Sequence, residues 1–117
     1  MTNGQRNSEF HDILRLIGSA KHVLLCTHLA PDGDALGSML ALASLVTRLG
    51  KQATMVCHDP VPEYLLFLPE QDKIRLPAQI TDQSFDLALS VDASDAERLG
   101  DSYALFSKCP VTIQMDH

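Results

Sequence analysis

Apolar residues follow two rhythms along this chain, and the alternation between them predicts the fold. At 22–27 the run His-Val-Leu-Leu-Cys-Thr has no polar alternation, as expected of a strand covered on both faces. Similar runs at 53–58 (ATMVCH), 85–92 (FDLALSVD) and 111–116 (VTIQMD) read as three more strands. Between them the period lengthens. Phe10, Ile13, Leu14 and Ile17 recur at helical spacing within 8–18, with Ser8 as cap and Gly18 as end. From Ala35 to Leu49 apolar residues surround almost the whole helical circumference, which predicts a deeply buried helix. Gly50 terminates it, with Arg48 and Lys51 at the negative end of its dipole. Residues 59–71 read as a loop with a short helical piece, entered at Pro62 and left at Pro69, and a short helix is expected around 96–107. Strand and helix alternate throughout. The expected fold is one α/β unit, a three-layer α/β/α arrangement with a mostly parallel sheet.

Composition narrows the choice of function. With 117 residues, 45% hydrophobic and 21% charged, the chain can bury a real core. The polar start, MTNGQRNSEFHD, lacks a secretory pattern, and no apolar run is long enough to cross a bilayer, so no membrane association is expected. Three cysteines without paired spacing suggest a reducing, cytoplasmic setting. Cys26 and Cys57 lie in apolar runs and read as buried, inert thiols. A net charge of −6 argues against a surface that tracks long nucleic acid. A small phosphorylated substrate, held by metal ions rather than by lysines, is compatible with this charge.

Chemistry gathers where the strands end. The first strand ends at His28 and runs into Asp32 and Asp34, with Pro31 and Gly33 between them. The second ends at His58-Asp59, the third at Asp92, the last at Asp116-His117. In open parallel sheets the ligand crevice lies outside the carboxyl ends of the strands. A Pro-Asp-Gly turn with a capping Asp would account for the first cluster alone, but not for acids and imidazoles at three or four strand ends. Carboxylates with one or two histidines suit manganese, magnesium, cobalt or zinc, and the lack of cysteine partners disfavours a closed structural zinc site. Two divalent ions would neutralise the crowded carboxylates and share a bridging hydroxide as nucleophile. Gly33 and Gly37 would let backbone approach a metal or a phosphate.

The stretches THLAPDGDALGS, SVDASDAERLG and the terminal MDH resemble the first three motifs of the DHH phosphoesterase superfamily. The segment DPVPEYLLFLPEQDKI resembles one branch of it, the bacterial oligoribonucleases that also dephosphorylate 3′-phosphoadenosine 5′-phosphate. The resemblance covers the chain from His22 onward. It implies that His28 and Asp32 bind one metal, that Asp34 and His117 bind another, and that Asp92 bridges the two. Asp116 would orient a ligand, and Asp92, Asp116 and His117 form the catalytic set. The implied cofactor is a pair of Mn²⁺ ions. The implied substrates are short single-stranded oligoribonucleotides and small phosphorylated nucleotides, and a homodimer is compatible. The second histidine of the third motif, a fourth-motif aspartate and a glycine-rich substrate domain are not in the sequence. Residues 1–117 therefore resemble the N-terminal catalytic domain of a longer enzyme, cut within the third motif, and the isolated chain is expected to be inactive.

Rival readings are a pyrophosphatase or cyclic-dinucleotide phosphodiesterase of the same superfamily, or a non-catalytic nucleotide-binding module. Among the remaining residues, Arg98 reads as an ion-pair partner, His58 and Asp59 as a loop start, and His11 and His22 as solvated. Tyr64 and Phe67 read as packing residues of a short amphipathic helix, although they have the chemistry to stack on a base.

Overall fold

The computed structural model describes residues 3–27, 33–80, 84–91 and 99–115. Four strands, β1 (His22–Thr27), β2 (Gln52–Val56), β3 (Leu87–Val91) and β4 (Thr112–Met115), form one sheet in the order β2-β1-β3-β4. Every neighbouring pair is parallel. The expected parallel sheet is present, with β1 and β3 at its centre. Both carry unbroken burial, which is why their sequences show no alternation.

The sheet is covered on both faces. Val23, Leu25, Met55, Leu87 and Leu89 pack with Ile17 of α1 (Asn3–Ser19) and with Leu36, Met39, Ala43 and Val46 of α2 (Gly33–Arg48). The alternate residues Leu24, Cys26, Val56 and Ala88 pack with Leu99 and with Phe106 of α3 (Ser102–Ser107), beside Cys109. This is the three-layer α/β/α arrangement. Each fully buried Leu or Val contributes about 1.5–3 kcal/mol, so the two apolar layers dominate stability.

Several elements differ from expectation. α1 starts at Asn3, so Ser8 lies inside the helix rather than capping it. α2 is not buried all round. Ala35, Leu36, Met39, Ala43 and Val46 form one buried stripe, while Ala41, Ser44 and Thr47 on the other side are exposed. Small residues with little polarity had made an amphipathic helix look wholly apolar. α2 ends as expected: Gly50 has φ +81°, its N–H bonds Thr47 O at 3.0 Å, and Lys51 N–H bonds Val46 O at 3.2 Å. That pair of bonds is a Schellman cap, which needs a left-handed residue such as Gly.

The 59–71 stretch, expected as a loop with one short helical piece, holds a 3₁₀ turn at Glu63–Leu65 and the start of another at Gln71–Lys73, and a third follows at Pro77–Gln79. Arg75 reaches back to β2, its N–H bonding Met55 O at 2.9 Å while its O accepts Cys57 N–H at 3.0 Å. The free edge of β2 is thereby partly covered. His22 is half-buried rather than solvated. Its Nε2 lies 2.7 Å from Thr54 Oγ1, and its ring meets Phe85 edge-on at 4.5 Å. Among the described residues no helix is long and apolar enough to cross a membrane.

Candidate functional site

The order of the strands decides which carboxyl ends are neighbours. β1 lies between β2 and β3, and the chain passes from β2 across β1 to reach β3, so the connections diverge at β1. Such a switch point opens a crevice at the carboxyl edge. The register there is close: Thr27 pairs with Val91, and Val91 pairs with Met115. With adjacent strands about 4.8 Å apart, these three strand ends span roughly 10 Å. In sequence they are followed directly by His28, by Asp92 and by Asp116-His117.

A buried hydroxyl ties two of these ends together. Thr27 is fully buried, and its Oγ1 donates to Val91 O at 2.9 Å. The bond fixes the last residue of β1 to the last residue of β3. Sequence reading passed over Thr27 because a threonine ending an apolar run looks like ordinary strand composition.

Of the six residues singled out, His28, Asp32, Asp92, Asp116 and His117 lie outside the described residues, as does Arg98. Asp34 is described. It sits exposed in the first turn of the 16-residue α2, where the partial positive charge of the helix end favours a carboxylate and would equally favour a phosphate. A Cβ at Gly33 would lie 3.6 Å from Leu65 Cδ2, an ordinary contact distance, so Leu65 lies close to the start of α2. A Cβ at Gly37 would meet nothing within 4 Å. Gly37 also lines a cavity of about 650 Å³ that runs along α2 to Arg48 and over Met55, with Leu68 and Lys73 on its far wall. That cavity lies along the helix flank, not at the strand ends.

The end of β2 plays a different part. His58 Nδ1 accepts the Asp101 N–H at 2.9 Å, which leaves the ring proton of the neutral form on Nε2. Asp101 Oδ2 is 3.6 Å from Nδ1, and Asp59 Oδ1 is 3.9 Å from Nε2. His58 thus joins the end of β2 to the residue preceding α3, in keeping with a loop role. Cys26 and Cys57 are buried, and burial pushes the Cys57 thiol up to about 12 and raises Cys26 as well. Neither offers a thiolate to a metal at neutral pH. Among the described residues no group of three or more His, Cys, Asp or Glu side chains is placed to hold a metal. The hydroxyls of Ser90 and Ser102 are buried without a hydrogen-bond partner among the described residues.

No family model matches the chain. A 57-residue stretch, 49% of the chain, is 42% identical to the bifunctional oligoribonuclease and PAP phosphatase NrnA of Thermus thermophilus. The fold is similar to that of an exopolyphosphatase-related protein from Bacteroides fragilis, with a TM-score of 0.85 over 95% of the chain at 20% identity. The matched stretch spans 17% of the Thermus protein's length, and the fold match covers 35% of the Bacteroides chain. The first match is to a protein named as an oligoribonuclease and PAP phosphatase, the kind of enzyme the sequence resembles, and the second agrees with the expected α/β fold.

Proposed function

We propose that the chain is a metal-dependent phosphoesterase domain that hydrolyses short oligoribonucleotides and 3′-phosphoadenosine 5′-phosphate. The observation that carries this reading is the register Thr27–Val91–Met115, which aligns the strand ends that lead into His28, Asp92 and Asp116-His117. Further support comes from the sequence match to a protein named as an oligoribonuclease and PAP phosphatase.

The donor set of carboxylates and imidazoles suits hard or borderline divalent ions such as Mn²⁺. In the proposed site His28 and Asp32 hold one ion, Asp34 and His117 a second, and Asp92 serves both. When bound, such a pair lowers the pKa of a water and offsets charge on the phosphate. The chain's own residues do the positioning. Thr27 holds the ends of β1 and β3 at one level, so that residues on both can serve one site. Asp34 rides on the first turn of α2, and the amide groups of that turn favour a phosphate. Asp116 orients a ligand. The free, buried cysteines fit a reducing compartment, and the proposed location is the cytoplasm.

The test uses the gene product that carries this chain, stripped of metal and then supplied with Mn²⁺. A dinucleotide, 3′-phosphoadenosine 5′-phosphate, pyrophosphate and a cyclic dinucleotide are assayed side by side. The expected result is manganese-dependent hydrolysis of the first two, abolished by Asp92→Asn. Preference for either of the last two, or near-normal activity of Asp92→Asn, overturns the reading. Stoichiometric nucleotide binding with no hydrolysis would indicate a non-catalytic module instead.

A further inference from the structure

Tyr64 and Phe67 do not pack inward as the sequence suggested. They are 69% and 77% exposed, and Leu66 beside them is 50% exposed. The inward positions are Leu65, which is buried, and Leu68, which is partly buried against the same core. Successive i→i+3 bonds (Leu65 N to Pro62 O, Leu66 N to Glu63 O, Leu68 N to Leu65 O) wind this stretch as 3₁₀ turns. The inward pair Leu65 and Leu68 and the exposed pair Tyr64 and Phe67 are each three positions apart, the spacing at which side chains share one side of a 3₁₀ turn. Neither ring is paired with another aromatic among the described residues. Leu65 between them lies close to Gly33, one residue before Asp34, since a Cβ added there would be 3.6 Å from Leu65 Cδ2, so the backbone that carries the two rings runs near the start of α2.

We infer that Tyr64 and Phe67 form a stacking platform for the base of a short oligonucleotide whose phosphate lies at the carboxyl edge of the sheet. The inference rests on the proposed function of that edge and adds the group that holds the base. Aromatic side chains are the usual partners of unpaired bases, and stacking tolerates any base because each has a π-face. The surroundings exclude a phosphate at the platform itself. Asp59, Glu63, Glu70 and Asp72 flank it in the chain, and the ammonium of Lys73 is taken by Glu70 at 2.8 Å. An acidic collar repels the backbone of a long strand but not the neutral face of a base. Size argues against a protein partner. Two covered rings supply at most about 500 Å², short of the roughly 800 Å² per partner of a stable protein contact.

The test is equilibrium binding to this chain in the presence of Mn²⁺, followed by NMR with diamagnetic Mg²⁺ in its place. The ligands are adenylyl-(3′→5′)-adenosine and an abasic dinucleotide of the same backbone. The dinucleotide should shift the ring signals of Tyr64 and Phe67. The double variant Tyr64→Ala/Phe67→Ala, altered only at exposed positions, should bind it about tenfold more weakly while binding the abasic ligand unchanged. Tyr64→Phe should retain wild-type affinity. Equal affinity of the double variant for the base-bearing ligand overturns the platform and leaves the phosphoesterase reading standing. No binding of either ligand to the wild-type chain overturns both. Self-association of the wild type by light scattering, lost in the double variant, would mean that the rings serve a contact between copies and would overturn the platform.

Discussion

Replacing Thr27 by Val isolates one hydrogen bond on which the alignment of the candidate site depends. The two side chains have nearly the same shape, so the change exchanges a hydroxyl for a methyl at a position with no solvent access. Val91 O then loses the donor that now sits at 2.9 Å. Depriving a buried acceptor of its partner costs about 1–3 kcal/mol, and the extra buried methyl returns roughly 0.8 kcal/mol. The expected net loss is about 0.2–2.2 kcal/mol, centred near 1 kcal/mol, or roughly 4 °C in melting temperature at that centre for a domain of this size. Thr27→Ser is the control, because it keeps the donor and gives up only a methyl. Urea denaturation followed by circular dichroism gives the stability of each variant, and calorimetric titration gives its Mn²⁺ affinity. Val should weaken Mn²⁺ binding several-fold while Ser leaves it within about twofold, because only Val releases the end of β1 from the end of β3. A Val variant as stable as the wild type, or one whose Mn²⁺ affinity matches that of the Ser variant, would refute the proposed role of the bond.

Acidification should destabilise the fold in two steps. Burial holds the His22 imidazole below its ordinary value of 6.5, against an opposing pull from Asp86, so its contribution is present above that value and is lost as pH falls through the depressed one. Asp86 is raised by burial, but this is outweighed by backbone N–H bonds from His22 and Lys21 and its own amide; its net pKa lies below 3.8, and its contribution disappears in the more acidic step. Urea midpoints measured against pH should therefore lose the first step in His22→Gln and the second in Asp86→Asn. The cysteines should resist labelling: Cys26 and Cys57 are buried with raised thiol pKa values, so a thiol reagent at about pH 8 should react with them only after unfolding. Rapid native labelling of either would contradict the burial described.

The sheet was legible because β1 and β3 are buried on both faces, and such strands must be written as unbroken apolar runs. Strand order was not legible. Nothing local in VTIQM says that β4 pairs with β3, yet that pairing is what brings Met115 level with Val91. The face of α2 was misread because alanine, serine and glycine reveal little about which side is wet. His22 was misread because its partners, Thr54 and Phe85, lie 32 and 63 positions away. The turns in 59–80 escaped because 3₁₀ pieces of three residues leave no periodicity, and with them went the outward direction of Tyr64 and Phe67. At the site, the ligand motifs stood out as unusual chemistry at strand ends, while Thr27, whose role depends on the register, did not.

The central claim is that divalent ions bind at the carboxyl edge of the sheet, and paramagnetic broadening by Mn²⁺ reports that position directly. With backbone amides assigned, substoichiometric Mn²⁺ should broaden Thr27, Asp34, Val91 and Met115 first, while His22, Gln52 and Leu87 at the opposite edge, about 15–20 Å away along strands of five or six residues, stay sharp. Broadening centred on the opposite edge, or on the cavity beside Ser44 and Lys73, would contradict the account.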